Sequence, residues 1–395
     1  MTDVQHHPRL RRAFSGRRGA VRLLAATILM VLLVLWYLDE RATDPEPGEA
    51  FDVTGALAGE DAAEGFARVI GPEPLRFPED HLPHPEYRHE WWYVTGNVED
   101  DSGRHFGFQV TLFRFNVAPD MPERQSALAT DQLWMAHLAV TDTETGEFHH
   151  RERFVRGAAG LAGSRANPFR IHAEDWVMAG EGESMMPLTL DFTGDDLGVS
   201  MRVEPSKPLV LQGETGYSRK GPLPGNASRY YSYTRLAAEG RIDIADRHYA
   251  VSGDAWMDRE WGTSTLSEDQ VGWDWFSVQL DDGRDIMFYQ LRREDGTIDP
   301  LSKGLLVDAD GGSRVLDLDD VELEARRHWQ SPRGGEYPVA WRMRIPDEGL
   351  DLELDAVVDH QELDGAFRYW EGAVRVSGRE GPDGRGYAEL TGYTR

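Results

Sequence analysis

The sequence sets carboxylates beside tryptophans at several places along the chain. They are Glu90 before Trp91 and Trp92, Asp254, Asp258 and Glu260 around Trp256 and Trp261, Asp274 between Trp273 and Trp275, and Glu371 after Tyr369 and Trp370. A carboxyl group in an apolar, tryptophan-lined cavity has a raised pKa, because desolvation disfavours the charged form. Such a group can act as a general acid near neutral pH.

Tryptophan faces can also stabilise a developing carbocation through the ring quadrupole. An acid against an aromatic wall is therefore what protonation of an alkene or an isoprenoid requires. The competing interpretation is structural, since tryptophan on a strand is most often core and aspartate beside it a turn or surface residue. On a strand, Asp274 faces away from both Trp273 and Trp275, so either the aspartate or the two tryptophans point inward, but not both. Arg259, between Asp258 and Glu260, suits a structural ion pair as well as it suits catalysis.

Several chemistries are excluded or disfavoured by what the sequence lacks. It contains no cysteine, so disulfides, thiolate nucleophiles and cysteine-ligated metals are excluded. It contains no Gly-x-Ser-x-Gly elbow and no glycine-rich phosphate loop between a strand and a helix. His89 and Glu90 begin a zincin-like pair, but Tyr93 stands where that motif needs histidine. We therefore expect no cofactor and no metal, with His81, His84 and His89 as the weak alternative.

The elements that must position these residues begin with a β-hairpin at 89–114. An aromatic strand leads through a turn at 100–103 into a strand that alternates Phe106, Phe108, Val110 and Leu112 on one face. A similar hairpin occurs at 273–292, with two gaps in the alignment. Two copies of one hairpin predict two related β-domains, unless two Asp-Gly hairpins resemble each other by chance.

Short alternating runs continue through the rest of the chain, split every 10 to 15 residues or so by glycine, aspartate and proline. No long amphipathic helix follows residue 70. This pattern predicts an all-β body, either a sandwich or a barrel. We place the first domain at 81–250 and the second at 251–395.

The N-terminus is typical of a membrane anchor. Residues 20–38 are an apolar run interrupted only by Arg22, behind a basic segment and without a small-x-small cleavage site. We expect 1–38 to be a single-pass signal anchor in the cell inner membrane, with the body in the periplasm or outside. Residues 39–80, acidic and proline-containing, are predicted to be a spacer.

Charge is distributed unevenly along the chain. The net charge is −27, yet the first 22 residues hold six arginines and one aspartate, so the remainder carries −32. A body this acidic disfavours nucleic acid as a partner, because phosphate binding requires a basic face.

Five ordered motifs resemble the AttH/CrtC family, which includes carotenoid 1,2-hydratase (hydroxyneurosporene synthase). They are His-Glu-Trp-Trp-Tyr-Val-Thr-Gly at 89–96, Tyr-Tyr-Ser-Tyr-Thr-Arg at 230–235, Gly-Asp-Ala-Trp-Met-Asp-Arg-Glu-Trp-Gly at 253–262, Trp-Asp-Trp-Phe-Ser-Val-Gln-Leu at 273–280 and Ala-Glu-Leu-Thr-Gly-Tyr at 388–393. The resemblance covers about 84–395. It implies two consecutive lipocalin-like β-barrel domains with an apolar pocket near their junction.

For the hydratases of this family, the resemblance implies an acidic residue and tryptophans in that pocket. Candidate acids are Asp258, Glu260 and Asp274, with Glu90 as second choice. The aromatic candidates for substrate binding are Trp91, Trp92, Trp256, Trp261, Trp273, Trp275, Tyr231 and Tyr233.

Three functions remain open at this point. The first is a membrane-anchored protein that binds a lipid or isoprenoid between two barrels and adds water to its double bond. The second is a non-catalytic lipid-binding partner of a membrane transporter. The third is a hydrolase, the label common in this family, which the missing nucleophile motif disfavours.

Overall fold

A computed structural model describes residues 63–119, 129–182, 184–263 and 266–393. The expected anchor at 1–38 and most of the expected spacer lie outside these residues. Within the described ranges, no helix has the length and apolar character needed to cross a membrane.

Antiparallel strands build the body, and the first sheet collects those up to residue 262. Its strands are β1 (His89–Asp100), β2 (His105–Asn116), β3 (Gln132–Asp142), β4 (Glu147–Arg156), β5 (Ala162–Arg165), β6 (Arg170–Ala173), β7 (Trp176–Gly180), β8 (Leu188–Thr193), β9 (Leu197–Pro205), β10 (Val210–Leu211), β11 (Tyr217–Arg219), β12 (Ala227–Ile244) and β13 (Arg247–Gly262). The spatial order is β4-β3-β2-β1-β13-β12-β9-β8-β7-β6-β5, with β10 and β11 on β12.

The second sheet contains the strands from residue 270 onward. They are β14 (Gln270–Leu280), β15 (Asp285–Arg293), β16 (Lys303–Val307), β17 (Ser313–Asp317), β18 (Glu322–Gln330), β19 (Glu336–Ile345), β20 (Leu350–Ala356), β21 (Glu362–Asp364), β22 (Arg368–Glu380) and β23 (Gly384–Leu390). Their order is β17-β16-β15-β14-β23-β22-β20-β19-β18, with β21 on β22. Short 3-10 helices lie at Glu79–His81, Leu318–Asp320 and Pro346–Glu348.

The two predicted hairpins are β1–β2 and β14–β15, and each turns on a glycine with positive φ. Gly103 has φ 84° and Gly283 has φ 88°. Glycine adopts this left-handed conformation without a Cβ clash. The prediction of an all-β body with two barrel-like halves is confirmed. The expected division at 250/251 falls inside β13, a strand that pairs with β1 and β12 of the first sheet.

Strands near the junction are buried on both faces, each face in a different cluster. On β1, Trp92 and Val94 pack in the core of the first barrel, whereas Tyr93 packs in a third cluster between the barrels. On β14, Phe276 lies in the core of the second barrel, and Trp275 lies with Tyr93 in the third cluster between the barrels. Because side chains alternate along a strand, one run of sequence lines a core and the junction at once.

Polar contacts and close packing join the two barrels. The Gln279 amide donates to the carbonyls of Thr234 and Ala255, at 2.8 and 3.0 Å. Gly107 approaches Ala373 so closely that a Cβ there would lie 2.6 Å from the alanine Cβ. The junction is therefore a tight interface in which any cavity is bounded by both sheets.

Candidate functional site

A cavity lies between the barrels, bounded by strands from both sheets. It contains about 1000 Å³ of space not filled by atoms, part of which is open to solvent. Its apolar and aromatic lining is Trp91, Tyr93, Phe113, Phe115, Met135, Tyr230, Leu266, Trp273, Trp275, Tyr289, Leu291, Phe367 and Tyr369. Its other lining residues are Lys220, Asp258, Glu260, Glu389 and Thr391. The aromatic lining suits an apolar ligand.

Asp258 is a buried carboxyl held by uncharged donors. It lies on β13, opposite Tyr93 on β1 and Ser232 on β12. The Tyr230 hydroxyl donates to its Oδ2 at 2.5 Å, and the Ser232 hydroxyl donates to its Oδ1 at 2.5 Å. The Trp256 indole also donates to Oδ1, at 2.7 Å. The side chain is thus fixed in one orientation at the cavity wall.

The pKa of Asp258 is raised to about 7, chiefly because burial disfavours the carboxylate. The hydrogen bonds from Ser232, Tyr230 and Trp256 act in the opposite direction, and nearby Glu260 raises the pKa further. A carboxyl group with this pKa carries its proton in a large fraction of molecules at neutral pH. Asp258 can therefore act as a general acid toward a molecule in the cavity.

Glu260 is the neighbour of Asp258 on the same face of β13. It forms an ion pair with the ammonium of Lys220 and accepts a hydrogen bond from the Ser228 hydroxyl. Lys220 lies over the ring of Tyr230, 5.6 Å from its centroid. Glu260 therefore has a cationic partner, whereas the hydrogen-bond donors to Asp258 are all uncharged.

Glu389 is a third cavity carboxyl, and sequence reasoning missed it. It lies on β23, where its cross-strand neighbours are Trp275 and Glu371. The Trp273 indole donates to its Oε1 at 2.6 Å. Burial, with smaller contributions from Glu260 and Asp258, raises its pKa to about 7. The signal was available, because Glu389 belongs to the closing motif at 388–393 that carried the family resemblance.

Glu90 lies elsewhere, at one end of the first barrel. It is fully buried and paired with the guanidinium groups of Arg114 and Arg259. Burial alone would raise its pKa, but Arg259 and Arg114 outweigh burial and hold it well below its ordinary value. Glu90 shares a face of β1 with Trp92, and Arg259 lies 3.9 Å from the centroid of that indole. The group is an ionised structural anchor rather than an acid.

Asp274 also lies outside the cavity. It accepts hydrogen bonds from Arg292 at 3.0 Å, Gln290 at 2.7 Å and Tyr393 at 2.9 Å. It faces away from the two flanking tryptophans, as strand parity requires. The tryptophans occupy the cavity side and the aspartate the opposite side.

The structure brings four of the eight aromatic candidates to the site. Trp91, Trp273 and Trp275 line the cavity directly. Trp256 lies behind them, edge-to-face with Trp275 at 6.3 Å, and its indole anchors Asp258.

The other four candidates do not line the cavity: Trp92, Trp261, Tyr231 and Tyr233. Trp92 packs against Trp134 inside the first barrel, where Tyr233 also contacts the core. Trp261 stacks on His84 at 4.1 Å, and the Tyr231 hydroxyl bonds to His81 Nδ1 at 2.7 Å. No group of three side chains with the geometry of a metal site occurs among the described residues.

Two barrel-like sheets around an apolar, acid-containing cavity define a lipocalin-type two-barrel protein. The chain belongs to the AttH-like family, whose model matches residues 68–393. No protein with a curated description matches it by sequence.

Solved structures share this fold. An AttH protein from Nitrosomonas europaea superposes with a TM-score of 0.76 at 36% identity, covering 84% of this chain and 100% of its own. Kievitone hydratase from Nectria haematococca gives a TM-score of 0.62 at 16% identity, covering 84% of this chain and 98% of its own. CghA with Sch210972 gives 0.52 at 14% identity, covering 86% and 98%. At these lower identities the last two show the fold alone.

Proposed function

We propose that this protein binds a lipidic or isoprenoid molecule in the cavity between its barrels and adds water to a double bond of that molecule. The observation that carries the proposal is Asp258, a buried carboxyl with a pKa of about 7 that faces an aromatic cavity. Hydration of an alkene requires an acid that keeps its proton near neutral pH and a surrounding that tolerates positive charge. The cavity supplies both.

The chemistry begins with proton transfer from Asp258 to the less substituted alkene carbon. The π bond breaks, a C–H bond forms, and the other carbon becomes a tertiary cation. Trp91, Trp273 and Trp275 present ring systems that stabilise this cation, as the adjacent carboxylates do. Water then forms the C–O bond and loses a proton, so alkene and water become an alcohol.

The named activity of one structural relative supports the reaction class. Kievitone hydratase shares the fold over 84% of this chain, and its name describes addition of water. The AttH protein from Nitrosomonas europaea is the more similar in sequence, at 36% identity. The name of kievitone hydratase is consistent with the proposed reaction. In this chain the evidence for that reaction is Asp258 at the cavity wall.

The test starts from the full chain purified from membranes in mild detergent. Lipids extracted from it are identified by mass spectrometry, and the protein is then incubated with squalene and with farnesol in H₂¹⁸O. We expect an alcohol that has gained one ¹⁸O-labelled water, and no such product from Asp258→Asn. Product formed equally by the variant would overturn the assignment of the acid.

A non-catalytic lipid-binding role is the second candidate, because one wall of the cavity is apolar throughout. That wall consists of Phe113, Phe115, Met135 and Phe367, with rings stacked at 5.9 Å between Phe115 and Phe367. An apolar wall recognises hydrocarbon without acting on it. Recovery of an intact bound lipid that is never hydrated would favour this role, as would co-purification with a transporter.

The membrane anchor at 1–38 is a further part of the proposal and rests on the sequence alone. An anchored body would meet its hydrophobic ligand at the lipid surface. Fractionation of cells expressing the full chain, compared with residues 40–395, tests it. We expect the full chain in the inner membrane fraction, accessible to protease only from the periplasmic side.

A further inference from the structure

A tyrosine, a histidine and a glutamate form a hydrogen-bonded line that ends at the cavity wall. The Tyr369 hydroxyl lies 2.7 Å from Nδ1 of His137, and Nε2 of His137 lies 3.0 Å from Oε2 of Glu152. Tyr369 lines the cavity, His137 is fully buried, and Glu152 is partly exposed at the far end. The line crosses the junction, because β3 and β4 carry His137 and Glu152 while β22 carries Tyr369.

The partners fix which atoms carry protons. Glu152 is held ionised, since burial would raise its pKa but hydrogen bonds from His137 and from the N–H groups of Ala366 and Phe367 lower it overall. A carboxylate only accepts, so Nε2 of His137 carries a proton and donates it to Glu152. When Nδ1 carries no proton, that nitrogen accepts a hydrogen bond from the Tyr369 hydroxyl.

The side chain of Tyr369 forms part of the cavity wall. Burial raises the pKa of Tyr369 well above its ordinary value, so the phenol stays protonated and passes a proton on rather than ionising. Glu371 is fully buried beside Tyr369 on β22, and burial raises its pKa well above its ordinary value. Glu371 is also the cross-strand neighbour of Glu389. Titratable groups therefore continue from the line to the carboxyls near Asp258.

We propose that Tyr369, with His137 and Glu152 behind it, is the base that accepts the proton from the adding water. The inference rests on the proposed hydratase function and names the partner that the acid requires. As the C–O bond forms, the water O–H bond breaks and its proton moves to the Tyr369 oxygen. The phenol proton moves to Nδ1 of His137, and the Glu152 carboxylate stabilises the imidazolium. The cycle closes when the imidazolium loses this proton and the Asp258 carboxylate takes up one.

The hydrogen bond between Tyr369 and His137 also joins the two barrels. The test must therefore distinguish a loss of catalysis from a loss of stability. Tyr369→Phe removes the hydroxyl and keeps the ring in the cavity wall. Its matched control is Tyr337→Phe, which removes a buried tyrosine hydroxyl bonded to Glu362 at 2.9 Å in the core of the second barrel. Both variants lose one buried hydrogen bond, but only the first loses the proposed base.

With squalene as the probe, we expect Tyr369→Phe to lower kcat about 100-fold with little change in KM, because a general base acts in the transition state. Tyr337→Phe should keep the wild-type kcat. Full kcat in Tyr369→Phe, together with an inactive Asp258→Asn, would overturn the relay and leave the hydratase function standing. Wild type that hydrates neither squalene nor farnesol, or hydration that survives Asp258→Asn, would instead overturn the function on which the relay rests.

A second readout does not depend on turnover. In ¹⁵N-histidine spectra of the full chain, His137 is assigned by the signal lost in His137→Gln. We expect a neutral imidazole with its proton on Nε2 at pH 8, and a displaced Nδ1 resonance in Tyr369→Phe but not in Tyr337→Phe. An imidazolium at pH 8, or a proton on Nδ1, would exclude proton uptake from Tyr369 and overturn the relay.

Discussion

Glu90 and Asp258 are both buried carboxyls on neighbouring strands of one sheet, yet their chemistry is opposite. Glu90 faces into the first barrel, where Arg114 and Arg259 keep it ionised. Asp258 faces the cavity, where Tyr230, Ser232 and Trp256 offer only uncharged donors. Burial raises the pKa of both groups, and only the cations at Glu90 outweigh it.

Burial alone therefore does not keep a carboxyl group protonated near neutral pH. A carboxylate with two guanidinium partners is a structural ion, because removing the carboxylate leaves two buried positive charges uncompensated. A carboxyl with hydroxyl and indole partners keeps its side-chain orientation and can still hold its proton. The face of the strand decides which set of partners it meets.

The largest expected effect is loss of activity in Asp258→Asn. An amide keeps the shape of the side chain but has no transferable acid proton, so we expect the hydration rate to fall by about 10³- to 10⁴-fold. Rates of ¹⁸O incorporation into squalene measure it. A variant within tenfold of wild type would remove the distinction between Asp258 and Glu90 as acids.

The second expected effect is on folding. Glu90→Gln leaves two buried guanidinium groups without their counter-charge, and we expect a loss of about 3 to 5 kcal/mol in the free energy of unfolding. Urea unfolding at pH 8 measures it, with Asp258→Asn as the comparison. A loss no larger than that of a surface substitution would show that Glu90 is not the structural ion described above.

The third prediction is an opposite pH dependence at the two carboxyls. The folded pKa of Asp258, about 7, lies above the ordinary aspartate value of 3.8, so Asp258 costs stability as pH rises through this interval. Relative to wild type, Asp258→Asn should therefore gain up to about 4 kcal/mol between pH 4 and pH 8.

The folded pKa of Glu90 is depressed, so its contribution is present above its unfolded pKa and is lost as pH falls toward the folded value. The deficit of Glu90→Gln should accordingly shrink on acidification. Urea unfolding at pH 3, 4, 6, 7 and 8 measures both differences. Parallel curves for the two variants would contradict the assigned environments.

The smallest expected effect is at Asp274, which like Glu90 lies outside the cavity. Asp274→Asn loses the charge that faces Arg292, and we expect a stability loss of about 2 kcal/mol with a hydration rate within about twofold of wild type. Thermal unfolding and the squalene assay report the two quantities. A large fall in rate without loss of stability would return Asp274 to the site.

Much of the fold could be predicted from the sequence. The alternation in 89–114, the glycine turns and the second hairpin at 273–292 predicted the all-β body with two related halves. These signals are local, because side-chain parity and turn conformation depend on neighbouring residues. The division between the sheets was less accessible, since β13 continues past 250 and its pairing with β1 joins residues far apart in sequence.

The site was predicted only in part. Five of the predicted site residues line the cavity: Asp258, Glu260, Trp91, Trp273 and Trp275. Sequence reasoning could not assign one face of β1 to a core and the other to a cavity, because both faces carry aromatic residues. It therefore included Glu90 and Trp92 on the same grounds as Trp91.

The sequence by itself determined the strands, their parity and the clustering of acids with tryptophans, because these follow from residue type and spacing. Only the tertiary structure decided which carboxyl meets cations and which meets neutral donors. Arg114 lies 24 residues from Glu90, and Arg259 lies 169 residues away. Glu389, on the second sheet, lines the same cavity as Asp258, on the first sheet. A pKa depends on three-dimensional distance, and distances between remote strands are set when the barrels fold and pack.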